Sequence, residues 1–293
     1  MNWDDVRIFL AVARAGQILG AARRLDLNHA TVSRRVAALE EALKTKLFRR
    51  LTTGSELTPA GERFLAVAER MEADMIAARA EIAGEGEDVS GTVRIGAPDG
   101  FGVTFLAPRL GALTAQHRDL KVQLVPVPRS FSLSRREADI AITVERPTEG
   151  RLVAQKLVDY TLGLWASTGY AEANSLPVSA AELSRHRLVG YVPDLVIAPT
   201  LDYASEFAAD WDASFAISSA LGQTEAVRSG AGIGILHNFI ARRTPDLVPV
   251  KAMPPIRRSY WLVYHESVRP LRRIQAVASF IADAVEKERA SFT

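Results

Sequence analysis

At 293 residues the chain is too long for one ordinary core, so two or three domains are expected. With 48% apolar and 24% charged residues and no cysteine, it excludes a disulfide framework, thiolate metal sites and a cysteine nucleophile, and no run approaches the roughly 20 apolar residues of a bilayer span. The net charge of +2 hides an uneven distribution: residues 1–58 hold ten Lys/Arg against six Asp/Glu, which leaves −2 for the remainder. A small basic head on a slightly acidic body fits a polyanion-binding module joined to something else.

The acidic start, MNWDDV, lacks the basic region and apolar run of a signal peptide, so a cytoplasmic protein is expected. Asn2 suits the cap of a first helix, with Asp4 and Asp5 in the turn where the dipole favours acids. Val6, Phe9, Leu10 and Ala13 form its buried stripe, and Gly16 ends it. A second helix runs from Ile18 to Leu25, with Ala21, Ala22 and Leu25 turned inward. After the short link Asp26–Leu27–Asn28, Asn28 caps a third helix reaching Leu43. There Val32, Val36, Leu39 and Leu43 fall in one narrow stripe, while Ala30, Thr31, Arg34, Ala37 and Ala38 lie opposite. Small residues around one Arg let a helix approach a major groove, where Arg bonds guanine bidentately and an Ala or Thr methyl meets the thymine methyl. Taken alone, the same face suits a short surface helix equally well. Two helices joined by a tight turn, the second presenting small and basic residues, form a helix-turn-helix. Leu47–Phe48 then leads into a two-stranded wing with its turn at Thr53–Ser55, bearing Arg and Thr side chains suited to phosphates.

Thr58–Pro59 opens a long helix that meets no breaker before Ala83. Its apolar positions (Phe64, Leu65, Val67, Ala68, Met71, Met75, Ala78 and Ile82) make a stripe too broad for so small a head, so a partner helix from a second copy is expected. The acidic, glycine-rich stretch 84–91 reads as a hinge and domain boundary. Beyond it the periodicity changes. Strands are expected at Thr92–Ala97, Lys121–Val125 and Ile140–Thr143, with helices at Phe101–Gln116 and Phe131–Arg136. A second unit starts near Leu162, with strands Leu162–Ser167, Leu188–Tyr191 and Phe215–Ser218, and helices Ala180–Ser184, Leu201–Asp210 and Gln223–Ser229. Strand Ser259–Tyr264 precedes a last helix, Leu271–Lys287. The expected fold class is α/β: a winged helix-turn-helix over 1–58, a linker helix over 59–84, a hinge, and a two-lobed body over 92–293. Lobe I takes about 92–161 and 268–293 and lobe II about 162–267, each around a parallel sheet. Ligands of such folds sit at the carboxyl ends of strands, in the cleft.

No chemistry is legible beyond that. The five histidines (His29, His117, His186, His237 and His265) are scattered without metal-ligand spacing, so neither a metal nor a cofactor is expected. Gly230, Gly232 and Gly234 follow a helix and lead into the strand-like Ile233–Leu236, the reverse of a dinucleotide fingerprint, so they are assigned to close packing and a turn. There is no P-loop and no nucleophile elbow, and nothing argues for an enzyme.

The stretch IFLAVARAGQILGAARRLDLNHATVSRRVAALEEALKTKLFRR, followed by LTPAG, resembles the DNA-binding head of LysR-type transcriptional regulators, and GTVRIGAP, EADIAI and SGAGIGIL are similar to that family's effector-binding domain. The resemblance implies a linker-helix homodimer, often a homotetramer, acting on double-stranded promoter DNA without a membrane, with a small-molecule effector between two lobes like those of periplasmic binding proteins. On the third helix it marks Asn28, His29, Ala30, Thr31, Ser33 and Arg34 as base-reading, with Arg35 beside them, Arg50 and Thr52 on the wing, and Gln17 and Ile18 at the start of the second helix. The family commonly has Ser-Gln-Pro where Asn28-His29-Ala30 stands, and a Ser-Phe-Thr-like run at Gln17-Ile18-Leu19, so the preferred bases are expected to differ. For the cleft it marks Pro98, Asp99, Gly100, Phe101, Arg129, Ser130, Phe131, Thr143, Val196, Thr200, Gln223 and Thr224. Asp99 stands where the family often has a hydroxyl that holds a carboxylate. Either it caps the helix beginning near Phe101 or it lines the cleft, and in the second case a neutral, zwitterionic or amphipathic effector is expected. The rival reading is an enzyme or solute-binding α/β protein carrying a non-functional head.

Overall fold

The computed structural model describes residues 2–51, 54–82, 89–127, 138–148, 150–195, 202–208 and 211–293, with backbone alone for Arg50, Leu51 and parts of the linker helix. The chain divides into a head unit, mainly residues 1–88, and an α/β unit, mainly the residues from 89 onward.

In the head, Asn2 and Asp5 close a capping box at the start of α1 (Trp3–Ala15): the Asn2 side chain accepts from the Asp5 N–H at 2.9 Å, and Asp5 accepts from the Asn2 N–H at 3.2 Å. Gly16 ends the helix with φ 65°, a left-handed turn open to glycine at no steric cost. After α2 (Ile18–Leu25), Asn28 accepts from the Ala30 N–H at 2.8 Å and starts α3 (His29–Ala42). Val32 and Val36 pack with Ile8, Val12, Ala21 and Ala22, whereas Leu39 packs with Phe9, Leu10 and Leu47. The wing pairs β1 (Phe48–Leu51) with β2 (Gly54–Leu57), Leu51 opposite Gly54. The ladder includes Gly54 and Ser55, which were expected in the turn. Gly54 is required there, because a Cβ would stand 2.5 Å from the Gly16 carbonyl oxygen that accepts the Ser55 N–H at 2.8 Å. Thr58 caps α4 (Pro59–Ile82), accepting from the Gly61 N–H at 3.0 Å and donating to the Lys46 carbonyl at 2.7 Å. Phe64, Leu65 and Ala68 of α4 join the α1 core, but Val67 and Met75 are 39% and 53% exposed.

The α/β unit starts with β3 (Gly91–Ala97). The helix expected from Phe101 begins two residues earlier and is three pieces: α5 (Asp99–Phe101), a π turn (Gly102–Leu106) and α6 (Ala107–Gln116). Pro108 is the local cause, since it cannot donate back to Thr104 and forces the ladder to widen. Then come β4 (Leu120–Pro126), β5 (Ile140–Thr143), β6 (Leu152–Ser167), α7 (Thr168–Ala173), β7 (Leu188–Gly190), α8 (Ala204–Phe207), β8 (Phe215–Ala216), α9 (Ala220–Arg228), β9 (Ile233–His237), α10 (Asn238–Ala241), β10 (Leu247–Val250), β11 (Ile256–His265) and α11 (Arg272–Lys287). Ala180–Arg185 is a 3₁₀ helix, and the helix expected over Leu201–Asp210 is only the single turn α8 among the described residues. The helix expected at Phe131–Arg136 lies outside them.

Among the described residues nine strands form one sheet in the order β4-β3-β5-β11-β6-β9-β7-β8, with β10 also on β6. It is mixed, which corrects the expected parallel sheets. Parallel pairs β3–β4, β3–β5, β7–β8 and β7–β9 hold the two ends, while β11–β5, β6–β9 and β10–β6 run antiparallel. The reason is β6 and β11, which join the β4-β3-β5 end of the sheet to the β9-β7-β8 end. β6 is one 16-residue strand where a new unit was expected to start near Leu162, so Asp159, Tyr160, Ser259 and Tyr260 fall on the crossing strands.

Candidate functional site

Two places hold the residues singled out above. On α3, Asn28, His29, Ala30 and Arg34 are exposed, as are Ala37 and Ala38, and Thr31 is half-buried. Arg34 and His29 make no ion pair or hydrogen bond among the described residues. Two neighbours behave differently. The Ser33 hydroxyl oxygen is buried and has no partner among the described residues, so it does not face solvent with the reading residues. Arg35 turns back to α1, its Nη1 donating to Asp5 Oδ1 at 3.0 Å with Asp4 Oδ2 at 3.7 Å, so it is not a free cation on the face. Gln17 is exposed and makes no capping bond at the start of α2, and Ile18 beside it is half-buried against the helix core. On the wing Arg49 pairs with Glu56 across the ladder. The Arg50 side chain and Thr52 lie outside the described residues.

Glu40, which no motif singled out, fixes the wing to α3. Its carboxylate is buried and accepts from the N–H groups of Leu47 at 2.9 Å and Phe48 at 3.1 Å and from Lys46 Nζ at 2.6 Å. Burial alone would raise its pKa, but those donors outweigh burial and hold it below 4.5.

The second place is in the α/β unit, where the loop after β3 meets the start of α9. Asp99 does not cap its own helix. Its Oδ2 accepts from Ser219 Oγ at 2.5 Å and from the Leu221 N–H at 3.4 Å, and Ser219 in turn accepts from the Gly222 N–H at 3.0 Å. The carboxylate therefore sits on the amino end of α9, where backbone N–H groups and the helix dipole favour an anion. Gln223, one turn on, donates from Nε2 to the Ile217 carbonyl at 3.1 Å and lines a cavity of about 350 Å³ with Tyr191, Tyr203 and Trp211. Pro98 is half-buried at the start of α5. Other expected residues serve packing. Gly100 lies against Ile240 and Ala220, Phe101 is fully buried against Phe105, Tyr260 and Phe292, Thr224 bonds back to the Ala220 carbonyl, and Thr143 bonds to the Glu145 carbonyl. Arg129, Ser130, Phe131, Val196 and Thr200 lie outside the described residues.

The crossing strands add residues that the sequence reading missed. Tyr160 and Tyr260 are fully buried and stack with centroids 4.1 Å apart. Burial pushes both phenols well above 10.0 and takes Tyr203, which adjoins them, up to about 12. His237, stacked on Tyr160 at 5.2 Å, is lowered to about 4 by burial, which the negative charge of Asp99 only partly offsets. All four rings are uncharged at neutral pH. The signal available beforehand was a Tyr on each of two apolar runs; Tyr260 already stood in the expected strand Ser259–Tyr264, whereas Tyr160 was lost when the other run was started at Leu162. The glycines behave as expected. A Cβ at Gly232 would stand 2.2 Å from the Arg187 carbonyl oxygen and one at Gly234 2.5 Å from Val227, so they allow close packing.

Comparison with known proteins names this arrangement. Residues 3–62 match the model for the bacterial regulatory helix-turn-helix protein, lysR family, and residues 86–286 match that for the LysR substrate binding domain. The chain belongs to the LysR family. A helix-turn-helix transcriptional regulator of Xanthomonas campestris is 31% identical over 184 residues, 63% of this chain and 54% of that one. The regulator CrgA of Neisseria meningitidis is 28% identical over 190 residues, 65% of this chain and 64% of its own length. The chain thus matches between about half and two thirds of these two relatives. A full-length OxyR variant of Pseudomonas aeruginosa shares the fold at 18% identity, with a TM-score of 0.70 over 98% of this chain and 95% of that one. No helix among the described residues is long and apolar enough to cross a membrane.

Proposed function

We propose that the chain is a sequence-specific transcriptional regulator that reads promoter DNA with α3 and answers to a small molecule held in the α/β unit. The exposed face of α3 carries this reading: His29, Ala30 and Arg34 stand free in solvent while Val32, Val36 and Leu39 anchor the helix from behind. An unpaired guanidinium among small side chains can enter a major groove and address guanine. Thr31 and Asn28 flank it, Gln17 approaches from the start of α2, and Arg50 with Thr52 is assigned to phosphates.

The exposed Val67 and Met75 on α4 support a homodimer through the linker helix, and the family resemblance supports a further step to a homotetramer. No enzymatic role is assigned, and work on promoter DNA implies a cytoplasmic protein. The discriminating experiment is a gel shift with the DNA upstream of its own gene. Retardation that weakens steeply with salt is expected, and no retardation at low salt would overturn the reading. Light scattering at micromolar concentration should give at least twice the 31.9 kDa of one chain, and a monomer would overturn the dimer.

A further inference from the structure

We infer that the molecule bound in the α/β unit is a small organic cation carrying an apolar or aromatic body, not an anion. The inference rests on the regulator reading only in taking this cavity as the effector's seat.

Three observations converge on it. First, the place best suited to a carboxylate is already filled. The amino end of α9, with Ser219 Oγ and the Leu221 N–H, holds Asp99, so an incoming anion finds a fixed negative charge instead of a donor pair. Second, the 350 Å³ cavity beside it lies at the small end of ligand pockets, which run from roughly 300 to 1,000 Å³. Its walls include Tyr191, Tyr203 and Trp211 together with Asp202 and Asp212, and no Lys, Arg or His is among the described lining residues. Aromatic rings together with carboxylates are a lining that suits an ammonium group, through the ring quadrupole and through Coulomb attraction. Gly190 makes room for the indole, since a Cβ there would meet Trp211 Nε1 at 3.1 Å and Ala213 Cβ at 2.8 Å. Third, the groups behind Tyr203 carry no charge. Tyr160 and Tyr260 are fully buried neutral phenols, and neutral His237 adds no positive charge. The nearest guanidinium, Arg258, stacks 5.6 Å over the Tyr203 ring and pairs with Glu206. Trp211 Nε1–H, buried without an acceptor among the described residues, asks for one acceptor on the ligand as well.

The test uses the full chain and a matched set of probes: tyramine as the cation, tyrosol as its neutral relative, 4-hydroxyphenylacetate as the anion, and choline as a cation without an arene. Isothermal titration should show saturable binding of tyramine or choline, tighter than tyrosol and 4-hydroxyphenylacetate by about tenfold or more. The paired change Asp202→Asn with Asp212→Asn should weaken the cation by a similar factor. The wild-type comparison stands on its own if that variant does not fold. Binding of neither cation, or of 4-hydroxyphenylacetate as tightly as tyramine, would overturn the inference, as would unchanged cation affinity in a folded double variant. DNA retardation by the same preparation keeps the two readings apart. Retardation without cation binding leaves the regulator and removes the cation, whereas cation binding without retardation does the reverse.

Discussion

On α3 the groups assigned to DNA stand in water, and in the α/β unit the groups behind the ligand cavity are already dry. Arg34 and His29 are exposed without side-chain partners among the described residues, whereas Tyr160 and Tyr260 are fully buried and Asp99 is held by Ser219 and Leu221. The difference follows from what each surface meets. A polyanion arriving from solvent is bound by cations that release its counterions, so those cations must not be spent on the protein's own acids. A small molecule enclosed by protein is held by groups whose desolvation was met in folding, and these must be oriented beforehand. Removing a side chain should therefore cost binding on the first surface and little fold, while a change in backbone fit near the second should cost the fold itself.

The largest expected effect tests the second half of that contrast. Gly232→Ala places a methyl group 2.2 Å from the Arg187 carbonyl oxygen, which also accepts the Ile233 N–H at 2.9 Å, so backbone must move against backbone. A loss of about 3 kcal/mol is expected, lowering the melting temperature of the α/β unit by roughly 6–12 °C in calorimetry. A shift under about 2 °C would show that the segment yields and that the enclosure is looser than described.

Next comes Arg34→Ala, which tests the first half. It should leave the melting curve nearly unchanged and cost about 2 kcal/mol on the specific site, some thirtyfold in Kd, with a blurred preference between sequences. Anisotropy titrations on the operator and on a scrambled duplex check it. Equal losses on both duplexes would make Arg34 a phosphate contact.

What could be read beforehand divides along the same line. The head was legible because its signals are local. The Asn2 box, the Gly16 and Asn28 caps, Pro59 and the Val32–Val36–Leu39 stripe each act within a turn or two. Its misreadings came from partners elsewhere. Gly54 is required by Gly16, and Arg35 and Ser33 point where α1 and the helix core place them, not where helical spacing alone would. In the α/β unit the decisive contact, Asp99 to Ser219, joins residues 120 apart, and no periodicity encodes it. The crossing strand β6 was cut short because Lys156 and Asp159 interrupt its apolar run, which hid Tyr160.

Glu40 gives a smaller, pH-dependent effect. Its folded pKa is held below the unfolded 4.5 by Lys46 and the two backbone donors against the opposing pull of burial. The stabilisation is therefore fully present above the unfolded value and is lost as pH falls through the folded one. Glu40→Gln should cost the head about 1–2 kcal/mol at neutral pH and flatten the acid limb of its stability profile below 4.5. Because the wing hangs from this carboxylate, DNA affinity should fall evenly across sequences. A loss confined to the specific site would instead tie Glu40 to the reading face.

The smallest effect belongs to Arg35, and it separates two adjacent arginines of the same helix. Its guanidinium pairs with Asp5 and lies near Asp4, and its side chain is 38% exposed, so solvent screening limits the pair to at most about 1 kcal/mol of stability. Since that charge is spent on α1, Arg35→Ala should change operator affinity by less than about threefold and leave the slope of log K against log salt intact. A slope reduced by about one unit would mean that the guanidinium leaves the acids for a phosphate in the complex. Asp4 and Asp5 would then compete with DNA for Arg35, and Asp5→Asn should tighten the complex. With the slope unchanged, Asp5→Asn should weaken the head instead, because the α1 capping box loses its charge along with its pair.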